Sequence, residues 1–225
     1  MISTLGPYQE RVNARLDQWR EERFLSRLME RDPALWSSKP VPEITDRLGW
    51  LFLKRAMRPH LDEYHDLARQ IVSEGVTDVV LLGMGGSSLA AEVFQGTFGN
   101  KQGYPVLTVL DTTHPLAVLR AGRRIDHRKT VFIVSSKSGS TVETLSLFRY
   151  FWNEMQDLGF ERGDHFIAIT DHGSPLAKLG AERGFRRVIE AIPDVGGRYS
   201  ALTAFGLVPA AIIGVDIHLL LDRLP

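Results

Sequence analysis

Cysteine is absent from the 225 residues, which excludes disulfides, zinc–thiolate centres, iron–sulfur clusters and a cysteine nucleophile. There is no charge excess either. Lys+Arg and Asp+Glu number 27 each, so no overall field steers the chain onto nucleic acid or an anionic membrane. The N-terminal stretch MISTLGPYQERVNARLDQWREE is too charged to hold the apolar centre of a signal peptide. One long apolar run exists, Ala201–Leu221, and Pro209, Asp216 and His218 interrupt it, each costly in lipid. It reads as a buried helical segment, or as one that needs a partner surface. Expected from these absences are a cytoplasmic location, no nucleic acid and no membrane. Internal repeats and low-complexity tracts are also missing. The phosphate-binding pattern G-x-x-x-x-G-K-[ST] does not occur.

What remains is an ordinary globular composition, long enough for one α/β domain with a helical appendage. Val12, Leu16, Trp19, Leu25 and Leu28 fall at near-helical spacing and predict a helix over 8–31. DPALWSSKPVPEI (32–44) is proline-rich and reads as an extended connector, and a second helix is expected over 60–74. From Thr77 the pattern changes. The runs TDVVLL (77–82), PVLTVL (105–110), TVFIV (130–134), HFIAIT (165–170) and FRRVIE (185–190) alternate with helical stretches at 87–96, 115–123, 140–158 and 174–183. Five β–α units imply a three-layer α/β fold with a doubly wound, five-stranded parallel sheet of flavodoxin-like type and an N-terminal helical extension. The expected division is 1–75 for the extension, 76–200 for the sheet domain and 201–225 for the apolar segment.

Sites on such sheets form outside the C-terminal strand ends, and three polar loops lie there. The first, LLGMGGSSLAAEVF (81–94), has glycines for close backbone approach and Ser87 or Ser88 to cap the next helix. An ordinary tight β–α turn would read the same way. The second, VSSKSGSTVET (134–144), places the hydroxyls of Ser135, Ser136, Ser138, Ser140 and Thr141 together with Lys137 where a strand gives way to a helix. Helix N-terminal N–H groups, hydroxyls and an ammonium together suit a phosphate monoester, whereas a plain serine cap needs one hydroxyl. The third, DVGGRYSALTAFGL (194–207), has a sharp Gly196–Gly197 turn that presents Arg198, with Ser200 placed to cap the apolar segment. Gly83, Gly85 and Ser88 give G-x-G-x-x-S, one residue short of the dinucleotide fingerprint, and Asp111 lies where a ribose-binding acid would sit. Nucleotide binding is therefore an alternative, although it leaves the serine-rich loop unexplained.

Taken in order, GMGGSSL (83–89), SKSGSTVET (136–144) and GGRYSALTAFGL (196–207) resemble the glucose-6-phosphate isomerase (phosphoglucose isomerase) family. Their counterparts there are G-I-G-G-S-x-L, S-K-T-F-T-T-x-E-T and G-G-R-x-S-x-x-S-A-x-G-L. The resemblance spans about Thr77 to Leu207 and is closest to bacterial forms, including the isomerase part of transaldolase/isomerase fusions. It implies a sugar-isomerase (SIS) domain that uses no metal or organic cofactor and binds glucose-6-phosphate or fructose-6-phosphate. By that likeness Ser136, Lys137, Ser138 and Thr141 cradle the phosphate, and Gly86 and Ser87 lie beside the sugar. Ser140 and Gly197 complete the binding set, and Arg198 stabilises an enediolate as the catalytic residue. Glu143 falls on the motif as a supporting carboxylate. Gly139 stands where the widespread motif has phenylalanine, and Ala90–Ala91 where Gly-Pro is frequent.

Aldose–ketose isomerisation also needs a base between C1 and C2 and an acid/base group for ring opening. In the resembled family a catalytic Glu, His and Lys come from a second sugar-isomerase domain and a C-terminal segment, whose motifs do not occur here. His60 and His65 are five apart and do not form a metal-binding helix face, and the remaining histidines are scattered. The expectation is the phosphosugar-binding half of an isomerase, inactive alone. Its expected partners are the C-terminal isomerase domain and, in addition, a second copy in a homodimer. The alternative is a non-catalytic sugar-phosphate-binding or regulatory module.

Overall fold

Short β-branched runs form the strands β1 (Asp78–Gly83), β2 (Val106–Leu110), β3 (Thr130–Ser135), β4 (Phe166–Asp171) and β5 (Arg187–Ala191). In the computed structural model they pair in parallel in the order β2-β1-β3-β4-β5. This is the expected flavodoxin-like order, whose topological switch point lies between β1 and β3. Register is in step across that junction, with Leu82 opposite Val134 and Gly83 opposite Ser135. The structure describes residues 4–39, 41–160 and 163–224. Met1–Ser3, within the charged N-terminal stretch, Pro40, within the expected connector, and Glu161, Arg162 and Pro225 lie outside them.

The helices are α1 (Gln9–Glu21), α2 (Phe24–Met29), α3 (Pro42–Thr45), α4 (Leu53–Met57), α5 (Leu61–Ser73) and α6 (Leu89–Phe98). After β2 come α7 (Pro115–Arg124), α8 (Val142–Asp157), α9 (Pro175–Glu182), α10 (Ala204–Ile212) and α11 (Ile217–Asp222). The chain divides into two compact units, Met1–Leu51 and Phe52–Pro225. In the first, the single helix expected over 8–31 is broken at Arg23, whose φ of 52° is left-handed. No residue of α1 or α2 is buried, although Trp19 stacks on Phe24 with ring centroids 4.9 Å apart.

In the second unit the pleat sends alternate strand residues to opposite faces. Val79, Leu81, Val131, Ile133, Ile167 and Ile169 meet α5, α10 and α11 in a largely aliphatic layer. Val80, Leu82, Phe132, Val134 and Phe166 meet α7 and α8 in an aromatic one. There Phe166 touches Phe132, Phe148, Trp152 and Phe185 at centroid distances of 5.1–5.5 Å. Such pairs contribute about 0.5–1.5 kcal/mol each beyond area burial.

Packing refines two features of the expected organisation. The sequence grouped α5 with the N-terminal lead-in, but Leu61, Tyr64, Leu67, Ala68 and Ile71 pack into the sheet's own core, so the units part between Leu51 and Phe52. The run Ala201–Leu221 is mostly buried within this unit, the first of its two expected readings, with Leu219 left 47% exposed. All nine residues of α10 are buried, packed with α5 and the strands, and Gly214 and the Asp216 cap split the run into two short helices. Among the described residues no helix is long and apolar enough to cross a membrane.

Candidate active site

The β1 and β3 loops leave the sheet side by side at the switch point. After Gly83 the chain turns through Gly85–Ser87 and enters α6 at Leu89. The Ser135 hydroxyl, on the last residue of β3, donates to the Ser87 carbonyl at 2.7 Å and ties this turn to the neighbouring strand end. Ser88 is buried, and its hydroxyl bonds back to Gly85 O rather than capping α6.

A third segment closes on the same loop from far along the chain. Gly197–Leu202 forms a helical turn whose backbone lies against Gly86. A Cβ placed on Gly86 would stand 2.2 Å from the Gly197 carbonyl oxygen, so only glycine fits. The Ser200 hydroxyl reaches both carbonyls, Gly86 O at 3.0 Å and Gly197 O at 2.6 Å. Ser200 was expected to cap the apolar helix. Thr203 does so instead, its Oγ1 accepting from Phe205 N, because Ser200 lies a turn earlier and is used as this clasp. Arg198 projects from the clasped turn, exposed, with no ion pair or side-chain hydrogen bond among the described residues.

The serine-rich loop folds into a hydroxyl nest. Ser136 Oγ lies 3.0 Å from Thr141 Oγ1 and accepts from Gly139 N at 3.1 Å. Ser140 donates to Ser138 Oγ through its amide at 3.3 Å and its hydroxyl at 3.0 Å. Thr141 holds the N-cap position of α8 in an extended conformation but makes no side-chain cap bond. The first-turn N–H groups of α8 thus open onto the same loop, together with the positive end of the helix dipole. Gly139 has φ +68°, and a Cβ there would lie 2.7 Å from Ser174 Oγ and 2.8 Å from Leu176 N at the start of α9. A side chain at this position would require the loop or the start of α9 to move.

Lys137 is placed differently from its expected companions. Its ammonium donates to both oxygens of Asp171, at 2.8 and 2.9 Å, and to Pro193 O at 3.3 Å. Ser136, Ser138, Ser140 and Thr141 share one loop, and Gly86, Ser87, Gly197 and Arg198 meet at another. Lys137 belongs to the first of these loops, and its side chain is turned toward Asp171 at the end of β4. Glu143 is exposed in the first turn of α8. Sequence reasoning did not single out Asp171 or Ser174. The signal for Asp171 was its position at the end of β4 in the run ITDHGSP, in line with the polar ends of β1 and β3. Four of the seven histidines bond away from these loops: His127 meets Glu154, His165 meets Thr130 O, His172 meets Glu190 and His218 meets Asp62.

Comparison with known proteins bears on this geometry. A family model described as phosphoglucose isomerase matches residues 65–222. A glucose-6-phosphate isomerase of Thermus thermophilus is 37% identical over 147 residues, which make up 65% of this chain and 35% of that protein. A probable glucose-6-phosphate isomerase of Methanococcus maripaludis is 32% identical over 184 residues, 80% of this chain and 40% of that one. Among solved structures, a hypothetical protein from Thermus thermophilus superposes with a TM-score of 0.80 at 31% identity, over 97% of this chain and 49% of its own. A glucose-6-phosphate isomerase from Chlamydia trachomatis shares the fold, with a TM-score of 0.66 at 20% identity over 87% of this chain and 36% of its own. This chain therefore spans two fifths or less of these two curated relatives.

Proposed function

Because the chain belongs to the phosphoglucose isomerase family, we propose that its three loops hold a six-carbon sugar phosphate, as one half of an enzyme interconverting glucose-6-phosphate and fructose-6-phosphate. One observation carries this reading. The Ser200 clasp on Gly86 and Gly197 brings the β1 loop and the Arg198 turn together, and the Ser135–Ser87 bond sets them beside the serine-rich loop. The phosphate would sit against Ser136, Ser138, Ser140 and Thr141 and the first-turn amides of α8. Hydrogen bonds to such an anion contribute about 1.5–3 kcal/mol each. The sugar would extend toward Gly86 and Ser87, and Arg198, without an ion-pair partner among the described residues, would face the reacting carbons. There it would stabilise the negative charge of an enediolate as a proton moves between C1 and C2.

We assign that proton transfer, and ring opening, to groups outside these three loops. The side chains gathered for the sugar phosphate are hydroxyls and a guanidinium, and neither accepts a proton readily near neutral pH. The test is calorimetry with fructose-6-phosphate on the 225-residue chain and on Ser138→Ala/Thr141→Ala. The double variant is expected to bind at least about tenfold more weakly, from the loss of two charge-assisted bonds. Equal affinity would remove the phosphate from this loop. Turnover of fructose-6-phosphate by the purified chain would place the base within these residues.

A further inference from the structure

The Lys137–Asp171 pair is built like a structural tie. The parallel ladder between β3 and β4 continues past the last strand pair: Ser136 N donates to Ile169 O at 3.0 Å, and Asp171 N donates to Lys137 O at 3.0 Å. Thr170 Oγ1 also points to Lys137 O, at 3.3 Å. Lys137 is thus fixed at its backbone before its side chain is considered. Its ammonium then takes up both carboxylate oxygens of Asp171, with the two side chains only 19% and 31% exposed. The remaining donor reaches Pro193 O. Pro193 precedes Val195, which is buried in the aliphatic core, and the Gly196–Gly197 turn that carries Arg198. One ammonium therefore joins the hydroxyl loop, the end of β4 and the start of the Arg198 segment.

We infer that Lys137 is a positioning residue that struts the serine-rich loop against the segment carrying Arg198, and that the loop's anion affinity comes from hydroxyls and backbone N–H groups rather than from this ammonium. The inference rests on the reading of that loop as a phosphate cradle, but its two consequences separate from it. A partly buried cation held by two carboxylate oxygens and a carbonyl has its three donors engaged. Moving it to a phosphate would leave Asp171 unpaired, at the cost of a stranded carboxylate.

The decisive variant is Asp171→Asn, because the two roles predict opposite signs. If Asp171 merely competes with phosphate for Lys137, releasing the ammonium tightens binding. If the pair is a strut, releasing it loosens both loops and weakens binding several-fold. Inorganic phosphate and fructose-6-phosphate are the probes, by calorimetry on the full chain. Amide hydrogen exchange is read on the same proteins without ligand. The strut requires faster exchange in both 138–142 and 194–199 in Asp171→Asn and in Lys137→Met, with Lys137→Arg restoring protection because a guanidinium can span the same carboxylate. Tighter phosphate binding by Asp171→Asn, or unchanged exchange in either segment, overturns the inference. Should the wild-type chain bind neither probe, the cradle reading fails, and the exchange result alone then decides the strut.

Discussion

The Ser200 hydroxyl donates to the carbonyl of Gly86 across 114 positions of sequence. It joins the first β–α loop to the last segment before α10, with the two backbones in direct contact at Gly86 and Gly197. A methyl group on Gly86 has no room, since the atom it would meet is a backbone oxygen that cannot swing aside. Gly86→Ala is therefore expected to part the β1 loop from the Arg198 turn while leaving the sheet intact. Far-ultraviolet circular dichroism should match wild type, and fructose-6-phosphate affinity should fall at least about tenfold if one or two charge-assisted contacts are lost. Ser200→Ala, which removes only the clasp, should cost about 1 kcal/mol of stability in urea titration. Wild-type affinity in Gly86→Ala would show that this contact does not shape the site.

Gly139 gives a second test, because two separate reasons demand glycine there. Its φ is left-handed, and an added Cβ would stand only 2.7 Å from Ser174 Oγ and 2.8 Å from Leu176 N. Gly139→Ala should destabilise by about 1–3 kcal/mol, from backbone strain and from displacement of the α9 start. Ser174 also caps α9 through Ala177 N, so shortening Ser174 does not fully rescue the variant. Urea midpoints of Gly139→Ala with and without Ser174→Ala measure both contributions. A single variant as stable as wild type would show that the loop relaxes freely.

Acid stability offers a third test, at Glu74. Burial pushes this carboxyl up, but hydrogen bonds from Arg186 and Gln70 outweigh burial and hold it below its ordinary value of 4.5. Its partner Arg186 contacts it at 2.6 Å, at the base of β5. A group depressed on folding adds stability that is complete above the unfolded pKa and disappears as pH falls through the folded one. Glu74→Gln should thus be less stable than wild type at pH 7, by about 0.3–1 kcal/mol given the 38% exposure of Glu74. The difference should shrink below pH 4.5. Thermal unfolding of both proteins between about pH 3 and 7 checks it, and a constant gap would exclude Glu74 as the source.

The strands were legible because burial on both faces leaves a local mark: five short β-branched runs, each bounded by turn residues. Each lies within two residues of its expected ends. The alternation of strands and helices with right-handed crossovers implies a doubly wound parallel sheet, and the order β2-β1-β3-β4-β5 is then set by how the strands pair. The fate of Ala201–Leu221 was not legible, since an apolar run reports that it must be buried but not against what. The serine-rich loop was visible as a concentration of hydroxyls, yet the same letters gave no sign that Lys137 turns away from them.

Composition and periodicity thus dictated a cysteine-free parallel α/β sheet with polar loops at its C-terminal edge, because the pattern of burial is written residue by residue along the chain. Which loops touch was settled by folding. Gly86 meets Gly197, Ser200 bridges them and Asp171 holds Lys137, since each of these contacts joins segments 34 to 114 residues apart. Their geometry depends on how neighbouring strands align, and no local propensity carries that information.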